Sequence, residues 1–342
     1  MFRSKQLIMA TLSLSVLALA LTACGSSTVA GPKQSVTLAL DWTPNTNHTG
    51  IFVAQQKGYY ANEGLTLSLA PYSSNVTPEQ LVSTGQADFG ISFTESVTAA
   101  RATGLDVVSV AAVIQHNTSA LVSLRSSGLD TLPKLQGKKY AGFGAPYEQP
   151  VIDKILSCAG VSKPAFENVT TDLDPIVALK SGQFDFAWIY SGWEGIEAQR
   201  QGVSLNIFPL GDTCMPDYYS PVIITSSKML HAHPDTVRHF LAATAQGFAF
   251  AIHSPREAAD LLIKGAPAGT FDDKQLVYDS QDYLSPRYAE GAPCWGTQTA
   301  QKWTEYPKFM FESGAIQDAN GSPITTAPDY AAAFSNAYLP SC

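Results

Sequence analysis

The sequence predicts an α/β protein of two lobes joined by crossing strands, and three observations carry that expectation. Short apolar runs alternate with helix-like segments from residue 35 onward, as in mainly parallel sheets covered by helices. The stretches Leu81–Phe89 and Ala178–Phe186 both end in G-Q-x-D-F, which suggests one helix–turn–strand unit used twice. A late apolar strand, Val222–Thr225, lets residues 125–222 read as a second lobe inserted between 35–124 and 223–342 of the first.

The elements follow in order. Arg3 and Lys5 precede an apolar run, Leu7–Leu21, and then comes Leu21-Thr22-Ala23-Cys24. This is the layout of a secretory leader, residues 1–23, ending in a lipobox whose Cys24 would be lipidated. Counted to Ala23, the run falls short of the roughly 20 residues a spanning helix needs. Residues 24–34 are small and polar enough for a flexible tether. Ser35–Leu40 reads as a strand, Thr49–Lys57 as a helix that Gly58 ends, and Leu65–Leu69 as a second strand. Thr77-Pro78-Glu79 is a helix start, with Thr77 as cap and Pro78 in the first position. Gly85 closes that helix, and Asp88–Ser92, Val107–Val113 and Ala120–Leu124 return as strands. Beyond Ser226 the pattern is largely helical.

Composition narrows the function. The chain carries 21 basic and 29 acidic side chains, and removal of residues 1–23 would leave 19 and 29 in 319 residues. So acidic a body, without a basic cluster, argues against a nucleic-acid partner. Cys158, Cys214, Cys294 and Cys342 remain besides Cys24. An even count in an exported protein suggests two disulfides with three possible pairings, and no C-x2-C pair supports zinc. A bridge between lobes would oppose hinge motion, so pairing within lobes is expected: Cys158 with Cys214, and Cys294 with Cys342.

Four polar–aromatic clusters fall at strand ends, where open α/β sheets bind ligands. They are Asp41–Gly50 with Trp42, Asn45 and His48; Gly142–Pro150 with Tyr147 and Glu148; Trp188–Glu194 with Tyr190 and Glu194; and Asp217–Pro221 with Tyr218 and Tyr219. All combine aromatic rings with carboxylate or amide groups, and none contains Arg or Lys. That chemistry suits a flat, nitrogen-bearing ligand and fits an anion poorly. His231, His233 and His239 sit at a surface helix start and are not read as a metal site. No G-x-S-x-G or H-E-x-x-H motif occurs, and no catalytic set or cofactor is expected.

The stretch L-D-W-T-P-N-T-N-H-T-G-I-F-V-A-Q-Q-K-G-Y-Y-A-N-E-G-L at 40–65 resembles the family shared by thiamin-pyrimidine-precursor binding proteins and fungal pyrimidine-phosphate synthases. The similarity runs on through residues 85–90, 216–225 and 329–339. It implies the type II periplasmic-binding-protein fold, and a choice between carrier and enzyme. The synthases use a pyridoxal-phosphate lysine and a histidine four residues later, where this chain has Ser92 and Ser96. Their iron-binding cysteine run is matched by Cys214–Ser220, and their phosphate-cradling glycine loop by Ala145-Pro146-Tyr147-Glu148. These departures favour an extracytoplasmic, lipid-anchored carrier serving an ABC permease and its ATPase. A sensory or structural lipoprotein of the same fold is the other alternative.

The ligand the resemblance implies is a formylated aminomethylpyrimidine, with a flavin as runner-up; sulfonates and nitrate want cationic donors. On this reading Trp42 and Tyr190 or Tyr219 stack on the ring. Asn45 and His48 bond its side arm, Glu148 or Glu194 accepts from ring amino groups, and Glu95, Tyr147 and Tyr218 complete the set.

Overall fold

The computed structural model describes residues 33–342. The expected leader 1–23, Cys24 and the tether as far as residue 32 lie outside the described residues.

The first sheet is built from β1 (Gln34–Ala39), β2 (Leu65–Ala70), β3 (Phe89–Ser92), β4 (Val108–Ala112) and β10 (Val222–Thr225), in the order β2-β1-β3-β10-β4. The second holds β5 (Ser119–Leu124), β6 (Lys139–Gly142), β7 (Glu167–Thr170), β8 (Phe186–Tyr190) and β9 (Leu205–Pro209), in the order β7-β6-β8-β5-β9. The orders are equivalent. Three parallel strands come first in each, and the fourth place belongs to an antiparallel strand that has just crossed from the other lobe, β10 or β5. Helices cover both faces: α1 (Thr49–Gln56), α2 (Tyr59–Asn62), α3 (Pro78–Thr84) and α4 (Thr94–Ala102) on the first lobe, with α5 (Glu148–Cys158), α6 (Pro175–Lys180) and α7 (Ile196–Arg200) on the second. After β10 come α8 (Ser227–Ala232), α9 (Pro234–His253), α10 (Pro255–Gly265), α11 (Lys274–Leu284) and α12 (Ala300–Glu312). Residues 108–112 and 222–225 are buried throughout, as expected of strands covered on both faces.

Local chemistry explains where elements begin. The Thr77 side chain accepts from Gln80 N while Gln80 reaches back to Thr77 N, a capping box with Pro78 in the first turn. The repeated G-Q-x-D-F is a strand clamp. Asp88 Oδ2 accepts from Thr37 N of β1 at 2.8 Å, and Asp185 Oδ2 accepts from Lys139 N of β6 at 2.8 Å. Each aspartate thus fastens the third strand of its sheet to the second.

Two expectations about lobe limits change. Ala120–Leu124 belongs to the second sheet, so the first crossing lies between β4 and β5 rather than at 124/125; an apolar run carries no sign of which sheet it joins. Residues 223–342 also do not serve the first lobe alone. On α12, Trp303 packs with Ala39, Val97 and Val222 of the first lobe, whereas Tyr306, Phe309 and Met310 join the core of the second.

The Cys158 and Cys214 Cα atoms lie 6.2 Å apart and those of Cys294 and Cys342 5.7 Å apart, within bonding reach and in the pairing that avoids a link between lobes. Among the described residues no helix is long and apolar enough to cross a membrane.

Candidate ligand-binding cleft

The two lobes meet over the carboxyl ends of the equivalent third strands. Phe93 directly follows β3 and Tyr190 ends β8. They stand as far apart in sequence as Asp88 and Asp185, so they occupy the same position in the repeat. Their ring centroids lie 6.2 Å apart with planes 18° from parallel. A ring sandwiched between two others needs about 7 Å, twice a carbon–carbon contact of roughly 3.5 Å. The pair stands about 0.8 Å short of that spacing, so a ring enters only if the two part by about that much.

Glu95 projects from the first turn of α4 into the same space and is 1 % exposed. The α4 start is fixed by Thr94, whose N and Oγ1 both donate to the Tyr219 carbonyl of the second crossing. The Tyr147, Tyr190, Tyr218 and Tyr306 hydroxyls all feel the Glu95 charge. Burial pushes the Glu95 carboxyl up to about 8, partly offset by its own backbone N–H and the nearby Tyr218 hydroxyl. Neither the Tyr218 hydroxyl nor Glu95 Oε2 has a partner in hydrogen-bonding geometry. Eight buried side-chain polar atoms lack a partner among the described residues, and six lie on the cleft and its hinge: Glu95 Oε2, Asn117 Nδ2, Trp188 Nε1, Tyr218 Oη, Ser220 Oγ and Tyr306 Oη. Buried polar groups are ordinarily satisfied. Several of these groups neighbour one another, Tyr218 lying near Glu95, Ser119 and Tyr306, and Ser220 near Tyr190, so the cluster is a polar lining whose hydrogen bonds are loosely made.

The other expected site residues separate into three groups. Tyr147 is buried with its hydroxyl facing Ser96, and Tyr218 stacks on Tyr306 at 3.9 Å, so both line the cleft. Glu194 lies at its second-lobe end; Oε2 accepts from Tyr190 N at 3.0 Å, and burial pushes the carboxyl up to about 7. Trp42 is at the rim, 43 % exposed, tilted against Tyr72 at 4.7 Å.

Four of the expected residues make hydrogen bonds within the protein. Asn45 caps a short 3-10 turn, its Oδ1 accepting from Asn47 N and its Nδ2 donating to the Thr43 carbonyl. His48 Nδ1 accepts from Asn45 N, leaving Nε2 to donate to Asp41 at 2.7 Å, so both ring nitrogens are occupied. Tyr219 is buried, with Lys302 Nζ 4.8 Å from its ring centroid and its hydroxyl bonded to Thr299. Glu148 accepts from the N–H groups of Phe143, Gly144 and Ala145 at 2.8–3.0 Å and from the Tyr140 hydroxyl at 2.7 Å. Its carboxyl is raised by burial, against the pull of these four donors. The loop depends on Gly144, whose φ is +90° and where a Cβ would press on Thr170 at 3.0 Å.

Contacts across the cleft mouth hold the lobes together. Arg200 of α7 donates to both Asp273 oxygens at 2.8 and 3.0 Å and to Asp279 at 2.8 Å. The Ser280 hydroxyl donates to the Gly192 carbonyl, and a Cβ on Gly192 would meet Leu284 at 2.7 Å. At the hinge, Asp217 accepts from Asn117 N at 2.9 Å and pairs with His116 and Lys302 at 2.6 Å, which together outweigh burial and lower its pKa. Among the described residues no group of three or more His, Cys, Asp or Glu is placed to hold a metal. A surface cavity of about 590 Å3, lined in part by Arg101, Asp318 and Asp329, includes none of the cleft residues.

Sequence reasoning missed Phe93 and Tyr306. Phe93 was legible in the repeat itself, since it aligns with Tyr190. Tyr306 had no signal, because Trp303, Tyr306 and Met310 follow the spacing of an ordinary helical core stripe.

A family model described as NMT1/THI5 like matches residues 45–258. A protein named for thiamine biosynthesis from Haemophilus influenzae is 30% identical over 297 residues, covering 84% of this chain and 90% of its own. The formylaminopyrimidine-binding protein of Halalkalibacterium halodurans is 25% identical over 303 residues, 87% of this chain and 92% of its own. A 4-amino-5-hydroxymethyl-2-methylpyrimidine phosphate synthase of Legionella pneumophila is 28% identical over 238 residues, 69% and 75%. Among solved structures, the alkanesulfonate-binding protein SsuA of Xanthomonas axonopodis pv. citri superposes with a TM-score of 0.62 at 14% identity, over 87% of this chain and 98% of that one. The fold is that of the type II periplasmic binding proteins.

Proposed function

The chain belongs to the NMT1/THI5-like family, and from that premise we propose that it is the solute-binding component of an ABC importer, closing its lobes on a thiamin pyrimidine precursor. The observation that carries this reading is the slot between Phe93 and Tyr190 beside the unpartnered Glu95. A flat ring fills the slot, the carboxyl takes the ring's amino edge, and the Tyr, Trp and Ser orphans meet its remaining polar atoms. Binding across two lobes stabilises the closed form, the state a permease and its ATPase engage. The chain would reach the outer face of the membrane through its leader and be held there by a lipid on Cys24. Both cysteine pairs would be oxidised there.

A carrier is favoured over a synthase by what stands at the positions the resemblance assigns to Schiff-base chemistry. The Ser92 hydroxyl donates to the buried Glu79, and Ser96 faces Tyr147. Neither can form an imine, so the residues present do not fit a covalently held pyridoxal phosphate. The Glu148 carboxylate likewise fills the loop N–H groups that a phosphate would need.

Thermal unfolding of the purified protein with formylaminopyrimidine, hydroxymethylpyrimidine, thiamin, riboflavin and taurine tests this. A ligand at 100 times its Kd adds about 2.7 kcal/mol, a shift of several degrees. A rise confined to the aminopyrimidines is expected. A rise with riboflavin alone replaces the ligand, and a rise with taurine alone overturns the cleft chemistry.

A further inference from the structure

We propose that Glu95 works as a neutral carboxylic acid, donating through one oxygen and accepting through the other, and that the cleft therefore selects an uncharged planar ligand with an acceptor nitrogen beside an N–H donor. This deepens, and rests on, the reading of the cleft as the site of a flat nitrogen-bearing ligand.

The geometry leads there. Glu95 is buried, and its Oε2 has no partner in hydrogen-bonding geometry. An ionised carboxylate in such a place needs a cation or several converging donors, and Glu148 in the same protein shows what that looks like, with four donors on its two oxygens. Glu95 has a looser setting, with only its own backbone N–H and the Tyr218 hydroxyl acting on it as donors. It is faced by Tyr147 from the α5 start, Tyr190 from β8, Tyr218 from the second crossing and Tyr306 from α12. All four are neutral at physiological pH, as tyrosines ordinarily are, and burial raises them further. Asp41 and Glu194, which act on Tyr190, add only acidic character. The nearest charged residue of α12, Lys302, is engaged by Asp217 and the Gln115 carbonyl at the hinge. Burial that raises the Glu95 carboxyl to about 8 agrees with a proton retained at neutral pH.

A neutral acid presents O–H and C=O side by side. Its complement is a ring nitrogen next to an amino group, as in any 2- or 4-aminopyrimidine, with two hydrogen bonds and no net charge to desolvate. An anion would meet Glu95, Glu194 and Asp41 with no cation to receive it. A permanently cationic ligand would draw the proton off and bind better as pH rises, the opposite signature.

Two measurements on the purified protein separate the failure of this proposal from that of the pyrimidine reading. The first is the infrared carbonyl stretch of a protonated carboxylic acid at pH 7, in wild type and in Glu95→Gln. The second is calorimetric binding of formylaminopyrimidine from pH 6 to 10. The expected results are an acid band that Glu95→Gln removes, and wild-type affinity that is level below about pH 8 and falls about tenfold per unit above it. Glu95→Gln should bind more weakly but without that fall, and Glu95→Ala more weakly still. Absence of the band in wild type, or affinity that climbs between pH 7 and 9, overturns the neutral acid. A wild type with the band that binds no aminopyrimidine retires the pyrimidine and leaves the neutral acid standing.

Discussion

Removing the Glu148 side chain exposes how the second lobe fills its own anion site. In Glu148→Ala three consecutive loop N–H groups and the Tyr140 hydroxyl lose their acceptor. Phe143 and Gly144 are exposed, so water reaches their N–H groups and about 1 kcal/mol is lost for each bond. Tyr140 is fully buried, and an orphaned hydroxyl there costs about 1–3 kcal/mol. Relief of the carboxylate's own burial offsets part of this. The net destabilisation is about 2–4 kcal/mol, read by urea unfolding. The vacated nest of N–H groups sits at the start of an 11-residue helix, a favourable place for an anion. Phosphate, titrated at constant ionic strength, should therefore raise the melting temperature of Glu148→Ala and leave wild type and Glu148→Gln unmoved. A variant as stable as wild type, or one that responds equally to phosphate and chloride, would refute the reasoning.

Other outcomes follow from the same geometry. Because Glu95 keeps its proton up to about pH 8 when folded but releases it near 4.5 when unfolded, wild-type stability should fall as pH rises from about 4.5 to 8. The slope is about 1.4 kcal/mol per unit. Glu95→Gln should lack it, and parallel unfolding curves for the two proteins would count against a buried neutral acid. Glu194, which keeps part of its surface exposed, contributes a smaller share over about pH 4.5 to 7. Phe93→Ala and Tyr190→Ala should each weaken ligand binding by about tenfold or more, through about 1.5 kcal/mol or more of lost stacking and burial. Trp42→Ala at the exposed rim should cost less, and calorimetry that ranks Trp42 first would move the ligand out of the slot. Arg200→Ala should raise the ligand Kd only a few-fold, since solvent screens exposed ion pairs. That loss should shrink in high salt, and a salt-independent loss would mean the clasp is not ionic.

The fold was largely legible because its signals are local. Thr77-Pro78 starts a helix whatever surrounds it, and Val222–Thr225 is too apolar and too short to be anything but a buried strand. The repeated Asp of G-Q-x-D-F was visible as a pattern before its bond to the neighbouring strand gave it a reason. What was not legible was direction. Asn45, His48 and Glu148 have side chains suited equally to a ligand and to the protein groups beside them, and sequence does not say that they bond locally. In each case the loop's own N–H groups were nearer. Ala120–Leu124 was read as a strand but assigned to the wrong sheet, because pairing across the hinge depends on partners some seventy residues away. Tyr306 reaches the cleft only because α12 spans both lobes, which nothing in its spacing announces.

The shared position of Phe93 and Tyr190 has an evolutionary consequence. A flat ring looks the same from above and below, so two equivalent strand ends, each carrying an aromatic side chain, would suit it from both faces. Discrimination needs the copies to diverge, and the place to diverge is just past the shared aromatic. There the first copy carries Glu95, and the equivalent position in the second is Gly192, which has no room for a side chain beside Leu284. On the proposed reading, one half would hold the ligand reader and the other a closing surface. New ligand preferences in relatives of this chain should accordingly accumulate on the Glu95 side, while the Gly192 side stays bare.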